Sequence, residues 1–238
     1  MKRYSKRLMW GLGFVLLAFL IQYPIQQAES TWETWSLPLS GQTIVIDPGH
    51  GGPDGGSVGG DDDALEKDIA LDVAKKTRDF LQQSGALVYL TREEDTDLAA
   101  EDTKGLSRRK AEDIRKRMTF INDQDADLFI TLHLNALSSE KWHGAQTFYH
   151  PDKEANKHLA ESIQAEIKRN LENTSRQTLP LNNIYLLKHA NVPGALVEIG
   201  FLSNDKERER LKNETYQEQM SASIYEGILT YTTEDPGD

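Results

Sequence analysis

The chain of 238 residues has no cysteine and a formal net charge of −11. The first property excludes a disulfide framework, a thiol nucleophile and thiolate metal sites, so any transition metal must be held by histidine and carboxylate. The second disfavours nucleic acid as a partner, because so acidic a body is repelled by phosphate and no basic stripe interleaved with aromatics offsets it.

The N-terminal segment has the opposite charge. Lys2, Arg3, Lys6 and Arg7 stand against Glu29, giving the first thirty residues a net +3. They precede Leu8 to Tyr23, a run without charge that is apolar on every face. This is the pattern of an export signal or membrane anchor, and the basic flank places the remaining chain outside the cytoplasm. As a helix the run would span roughly 24 Å against a hydrocarbon core of roughly 30 Å, which favours a signal peptide. Gln26, at −3 relative to Ala28, makes a poor cleavage site and favours an anchor instead. The expected division is residues 1–28 as targeting segment, 29–41 as a linker with Trp32 and Trp35, and 42–234 as one domain.

From Thr43 onward, short apolar runs alternate with helical periodicity, the signature of α/β architecture. Predicted strands are Thr43 to Ile46, Ala86 to Leu90, Leu128 to Leu132, Ala145 to Tyr149, Ile184 to Lys188 and Ala195 to Ile199. Three of them are continuously apolar, as strands covered by helices on both faces should be. Leu65, Ile69 and Val73 at four-residue spacing predict a helix ending near Gly85. Further helices are expected over Ser107 to Asn122, Glu154 to Leu171 and Thr215 to Tyr231, with Asn204 and Glu207 as a capping box opening a short one. The acidic stretch Glu93 to Asp102 and the triplet Asp61 to Asp63 read as solvated loops.

Four residues carry candidate chemistry. His50 lies in the glycine-rich run Asp47 to Gly56, which lacks a phosphate-loop spacing but lets the backbone turn sharply past a bulky site. His133 ends an apolar strand, where clefts of open α/β sheets form. Glu66, taken alone, reads first as a helix cap with Asp63 and an acid complementing the helix dipole, and second as a ligand. Glu198 interrupts the apolar run Ala195 to Phe201, and a carboxylate in such a run needs a partner: a metal, a function, or a cation such as Lys188. All four can converge on one sheet edge. Two histidines and a carboxylate with an open fourth position are the ligand set of a catalytic zinc. Zinc so held brings the pKa of its bound water from about 16 to about 7, and a nearby glutamate can take the remaining proton.

At this point the sequence resembles a known family. Ile46 to Gly52, Leu65 to Asp68, Leu132 to Ala136 and Val197 to Asn204 are similar, in order, to the signature blocks of the zinc-dependent N-acetylmuramoyl-L-alanine amidases (amidase type 3). The likeness runs from about Gln42 to Tyr231. It implies a mixed, mostly parallel sheet of about six strands flanked by helices, zinc (Zn2+) on His50, Glu66 and His133, and Glu198 as catalytic acid/base. Asp47 and Asn135 are candidates for orienting these groups from behind. The segments Trp35 to Gly41 and Thr91 to Arg109 bring the chain nearer the germination-specific branch of spore formers. That branch implies peptidoglycan of the spore cortex as substrate and a muramic-acid deacetylase acting on the product to form muramic-δ-lactam. Its implied location is the space between forespore and mother-cell membranes. A wall-binding protein without activity, and a zinc hydrolase of another amide, are the rival readings.

Overall fold

The structure is a computed structural model and describes residues 14–20, 37–60 and 64–234. Residues 14–20, within the predicted targeting segment, are helical. Among the described residues no helix is long and apolar enough to cross a membrane. Trp32, Trp35 and the Asp61 to Asp63 triplet fall outside the described residues.

The chain from Pro38 forms one unit. Its strands are β1 (Thr43–Pro48), β2 (Val58–Gly59), β3 (Ala64–Leu65), β4 (Leu87–Leu90), β5 (Leu128–Asn135), β6 (Gln146–Tyr149), β7 (Leu179–Pro180) and β8 (Gly194–Phe201). Its helices are α1 (Glu66–Gln83), α2 (Leu106–Asp123), α3 (Glu154–Leu171), α4 (Tyr185–His189), α5 (Asp205–Leu211) and α6 (Glu214–Thr233). Six strands make one sheet in the order β4-β1-β5-β8-β6-β7, and β2 pairs with β3 separately. All pairings in the large sheet are parallel except β6 with β8. The expected mixed, mostly parallel α/β sheet is thus present.

Strand alternation sorts the continuous apolar runs between two cores. Ile44, Ile46, Leu128, Ile130, Leu132 and Val197 face one side, where α1, α3 and α6 supply Ile69, Val73, Leu159, Ile163, Met220 and Ile224. Val45, Phe129 and Leu196 face the other, packed on Met118 and Ile121 of α2 and Leu186 and Leu187 of α4. Each such fully buried side chain contributes about 1.5–3 kcal/mol relative to exposure. Four-residue spacing on α1, α3 and α6 follows from this, since a helix packed on a sheet needs one apolar stripe. Gly227 lets α6 approach α3 closely, because a Cβ there would overlap the backbone at Ile163.

One expected strand is a helix. Ile184 to Lys188 forms the turn α4, in which Lys188 N–H donates to Ile184 O at 3.0 Å. Leu186 and Leu187 are adjacent and both buried, which a strand facing one core cannot achieve but a helical turn wedged into a corner can. The sixth strand is instead the exposed pair Leu179–Pro180 at the sheet edge, a position that tolerates proline. Asn204 caps α5, accepting from Glu207 N–H at 3.0 Å, but the expected box does not close: the Glu207 carboxylate accepts instead from Gly144 and Phe201 N–H, and Asn204 N–H donates to Phe201 O.

Candidate active site

The parity that builds the second core also builds the site. Asp47, Thr131, His133 and Glu198 alternate with residues of the larger core and therefore lie on the α2 face, toward the carboxyl ends of β1, β5 and β8. Register sets them side by side: Asp47 opposite Thr131, and His133 opposite Glu198. The β5–β8 ladder then shifts between His133 and Asn135, so regular pairing ends just beyond these residues.

His50 arrives from the loop after β1 with φ +61, a left-handed conformation uncommon for a non-glycine residue. Two buried arginines hold the loop there. Arg117 of α2 donates to the carbonyls of Pro48 and His50 and to Asp47 Oδ1. Arg92, after β4, donates to the carbonyls of Pro48, Gly49 and Lys67. These groups occupy carbonyls that would otherwise be buried unsatisfied. Gly49 and Gly56 are required by close approach. A Cβ on Gly49 would overlap the His133 ring, and one on Gly56 would lie 2.6 Å from Glu66 Oε2 and 2.7 Å from His50 Cδ2.

Glu66 opens α1, but its carboxylate does not cap the helix; Leu65 is the N-cap residue and Asp63 lies outside the described residues. Glu66 Oε2 accepts from Ser57 N–H at 2.6 Å, and Oε1 accepts from Leu134 N–H at 2.9 Å. His133 Nδ1 lies 2.8 Å and His50 Nε2 3.2 Å from the same Oε1. Burial pushes the Glu66 pKa up, but bonds to the two imidazoles outweigh it and hold it well below the carboxylate range. On the far side of His50, Nδ1 donates to Asp54 Oδ2 at 2.9 Å. Burial disfavours the His50 cation, yet Glu66 and Asp54 together raise its pKa. One donor atom each from His50, Glu66 and His133 fall within 4.8 Å of one another, an arrangement able to hold a metal ion.

Glu198 stands beside this group. Its Oε2 is buried with no hydrogen-bond partner. Burial raises its pKa to about 7, with His133 opposing and Glu66 adding to the shift. Lys188 is exposed on α4 and is not among the charges acting on it. Asn135 lines the cleft next to Glu198. Asp47 touches neither histidine ring: it accepts from Thr91 Oγ1 at 2.6 Å, Thr131 Oγ1 at 2.7 Å and Arg117, and reaches His50 only through Arg117.

Three features were missed. Asp54 carried a legible signal, four residues after His50 inside the glycine run. Arg92 and Arg117 carried none, because long-range carbonyl contacts leave no local spacing. The third is the acidic stretch read as a solvated loop. Asp95 accepts from Gly52 N–H and pairs with Lys67, and Asp97 pairs bidentately with Arg109. The stretch therefore packs against the His50 loop.

The chain belongs to the N-acetylmuramoyl-L-alanine amidase family, which residues 44–230 match. It is 53% identical over 234 residues to the germination-specific N-acetylmuramoyl-L-alanine amidase of Bacillus subtilis, spanning 98% of each chain. It is 33% identical over 196 residues to the amidase LytC of the same organism, covering 82% of this chain and 36% of that one. Among solved structures, the CwlD amidase from Clostridioides difficile, in complex with the GerS lipoprotein, superposes with a TM-score of 0.80. Identity to it is 43%, over 82% of this chain and 100% of that one.

Proposed function

We propose that the protein is a zinc-dependent hydrolase of the amide between muramic acid and L-alanine in peptidoglycan. The observation that carries this reading is the convergence of three metal-donor atoms within 4.8 Å beside a carboxylate whose buried oxygen has no partner. Two imidazoles and one carboxylate fit zinc with an open position, and the carboxylate offsets half the ion's charge. Bound there, zinc would polarise the scissile carbonyl and make a nearby water acidic.

The remaining work falls to the chain. Glu198 takes the proton of the attacking water and returns it to the departing L-alanine nitrogen. Burial raises its pKa in the metal-free protein, which makes it a stronger base than an exposed carboxylate and so better able to accept a proton from water. Asp54 fixes the His50 ring so that Nε2 faces Glu66. Asn135 lies where it can contact substrate, and Asp47 steadies the His50 loop through Arg117.

The likeness to the germination-specific relative supports a role in the spore cortex, producing the peptide-free muramic acid that a deacetylase converts toward muramic-δ-lactam. The intermembrane space around the forespore follows as location, with residues 1–28 as targeting segment, 29–41 as linker and 42–234 as the catalytic domain. The CwlD complex with a lipoprotein supports a protein partner here as well. Mass spectrometry of purified muropeptides tests the reaction: release of intact stem peptides is expected, in proportion to zinc content. Cleavage within the peptide would identify a peptidase instead. Unchanged muramic-δ-lactam in spores lacking the protein would remove the cortex role alone.

A further inference from the structure

Glu198 also forms part of the wall of a cleft of about 250 Å3 that contains Asn135, Trp142, Gln146, Arg176 and Phe201. Gln146 is the register partner of Glu198 on the antiparallel neighbour β6. Arg176, in the segment between α3 and β7, donates through Nη1 to Gln146 Oε1 at 3.2 Å and through Nε to the carbonyl of His143 at 3.2 Å. Its guanidinium carbon sits 5.4 Å from the Trp142 ring centre and 5.1 Å from that of Phe201. Two hydrogen bonds and two aromatic faces thus hold the cation in place. Among the described residues no carboxylate forms an ion pair with it. Glu207, on the far side of Phe201 N–H, acts on it electrostatically without forming an ion pair, so in a chain of net charge −11 an oriented guanidinium on the cleft that Glu198 also lines keeps capacity for a second, anionic partner.

We infer that Arg176 binds the free carboxylate of the acidic residue that follows L-alanine in the stem peptide, and so sets specificity on the leaving-group side. The inference rests on the amidase reading above. The acyl side of the scissile bond offers no such charge, because the lactyl carboxyl is consumed in the amide. The peptide side does, and one extended residue advances about 3.3–3.6 Å, so the group next to L-alanine falls within the cleft. The planar guanidinium rests against Trp142 and Phe201 with Nε and Nη1 engaged, and among the described residues Nη2 makes no hydrogen bond, which leaves that nitrogen for a carboxylate.

The test compares kcat/KM for two muramoyl peptides that differ only in whether that carboxylate is free or amidated. The wild-type, zinc-loaded protein is expected to prefer the free acid by about 10- to 100-fold, the range of a charge-assisted pair, mainly through KM. Arg176→Gln is expected to collapse that ratio to within about threefold. Equal cleavage of the two substrates by the wild type overturns the inference and leaves the amidase reading intact. So does an Arg176→Gln protein that keeps the wild-type ratio, whatever its absolute rate. Should Arg176→Gln not fold, the wild-type ratio decides. Release of peptide from neither substrate would sink the amidase reading itself, and the inference with it.

Discussion

His133 and Glu198 are register partners on the parallel strands β5 and β8, so one candidate ligand and the candidate base are carried by a single rung of the sheet. Rigid backbone sets their separation, and substrate can be positioned against both at once. Glu198→Gln keeps the shape and removes the titrating oxygen. Zinc content should stay at the wild-type level while turnover falls about 10²- to 10⁴-fold. Near-normal turnover would remove Glu198 from the proton transfer.

The same substitution has a stability signature in chelator. Burial raises Glu198 from 4.5 to about 7, so between those values the folded state retains a proton that the unfolded chain has lost. Stability in the wild type therefore declines as pH rises through that window. Metal-free Glu198→Gln should melt above metal-free wild type at pH 8 and show no such gain at pH 4. Parallel melting curves across the range would show that the carboxyl is not desolvated.

Asp54 bonds His50 Nδ1 and is itself paired with Lys110, with 2.7 Å between Nζ and Oδ1. Removing the acceptor frees the ring to rotate and to change tautomer. Asp54→Ala should weaken zinc binding about 10- to 100-fold, read by chelator competition, while Asp54→Asn recovers part of the loss. An unchanged zinc affinity in Asp54→Ala would mean the loop alone orients His50.

The legible part of this protein was what strand and helix periods encode. The three apolar runs, the α1 stripe and the Asn204 cap each require only neighbours in sequence. His50, Glu66, His133 and Glu198 were visible because each breaks a pattern: a bulky residue among glycines, or a polar one at an apolar strand or helix start. Ile184 to Lys188 failed because five residues of mixed polarity satisfy either period, and the corner into which Leu186 and Leu187 pack is made by distant elements. Arg117 escaped for a related reason. On α2 it reads as one more surface cation, and only the folded loop shows the carbonyls it serves.

Asp47 and Arg117 form a buried pair at 2.8 Å that anchors this loop. Burial opposes the Asp47 charge, but Arg117 and the Thr91 and Thr131 hydroxyls outweigh it and lower the pKa. Because the folded value lies below the unfolded one, the resulting stability is complete above the unfolded pKa of about 3.9 and is lost as pH falls through the folded value. Asp47→Asn leaves Arg117 buried without its counter-charge and should cost about 3–5 kcal/mol at pH 7. Urea unfolding should show the deficit at pH 7 and a smaller one below pH 3.9. A constant deficit would assign the loss to packing instead of charge.

Gly49 gives the sharpest separation of site geometry from fold stability. Its N–H donates to Leu132 O at 3.0 Å, which fixes the loop against β5, and the His133 ring lies over its α-carbon. A methyl there cannot move away from the strand, so the ring must. In metal-free Gly49→Ala the ring turns aside and gives up its 2.8 Å contact with Glu66, a loss of about 1 kcal/mol for one partly exposed bond; on binding zinc it must return against an overlap worth about 1–3 kcal/mol. Zinc affinity should fall about 5- to 150-fold, with the melting temperature of the metal-free protein changed by only a few degrees. Gly55→Ala, in the same loop, is the control: its Cβ would meet Leu65 Cδ2 at an ordinary 3.4 Å, and zinc affinity should be that of the wild type. Equal losses in the two variants would show that zinc binding responds to loop stiffness rather than to the placement of His133.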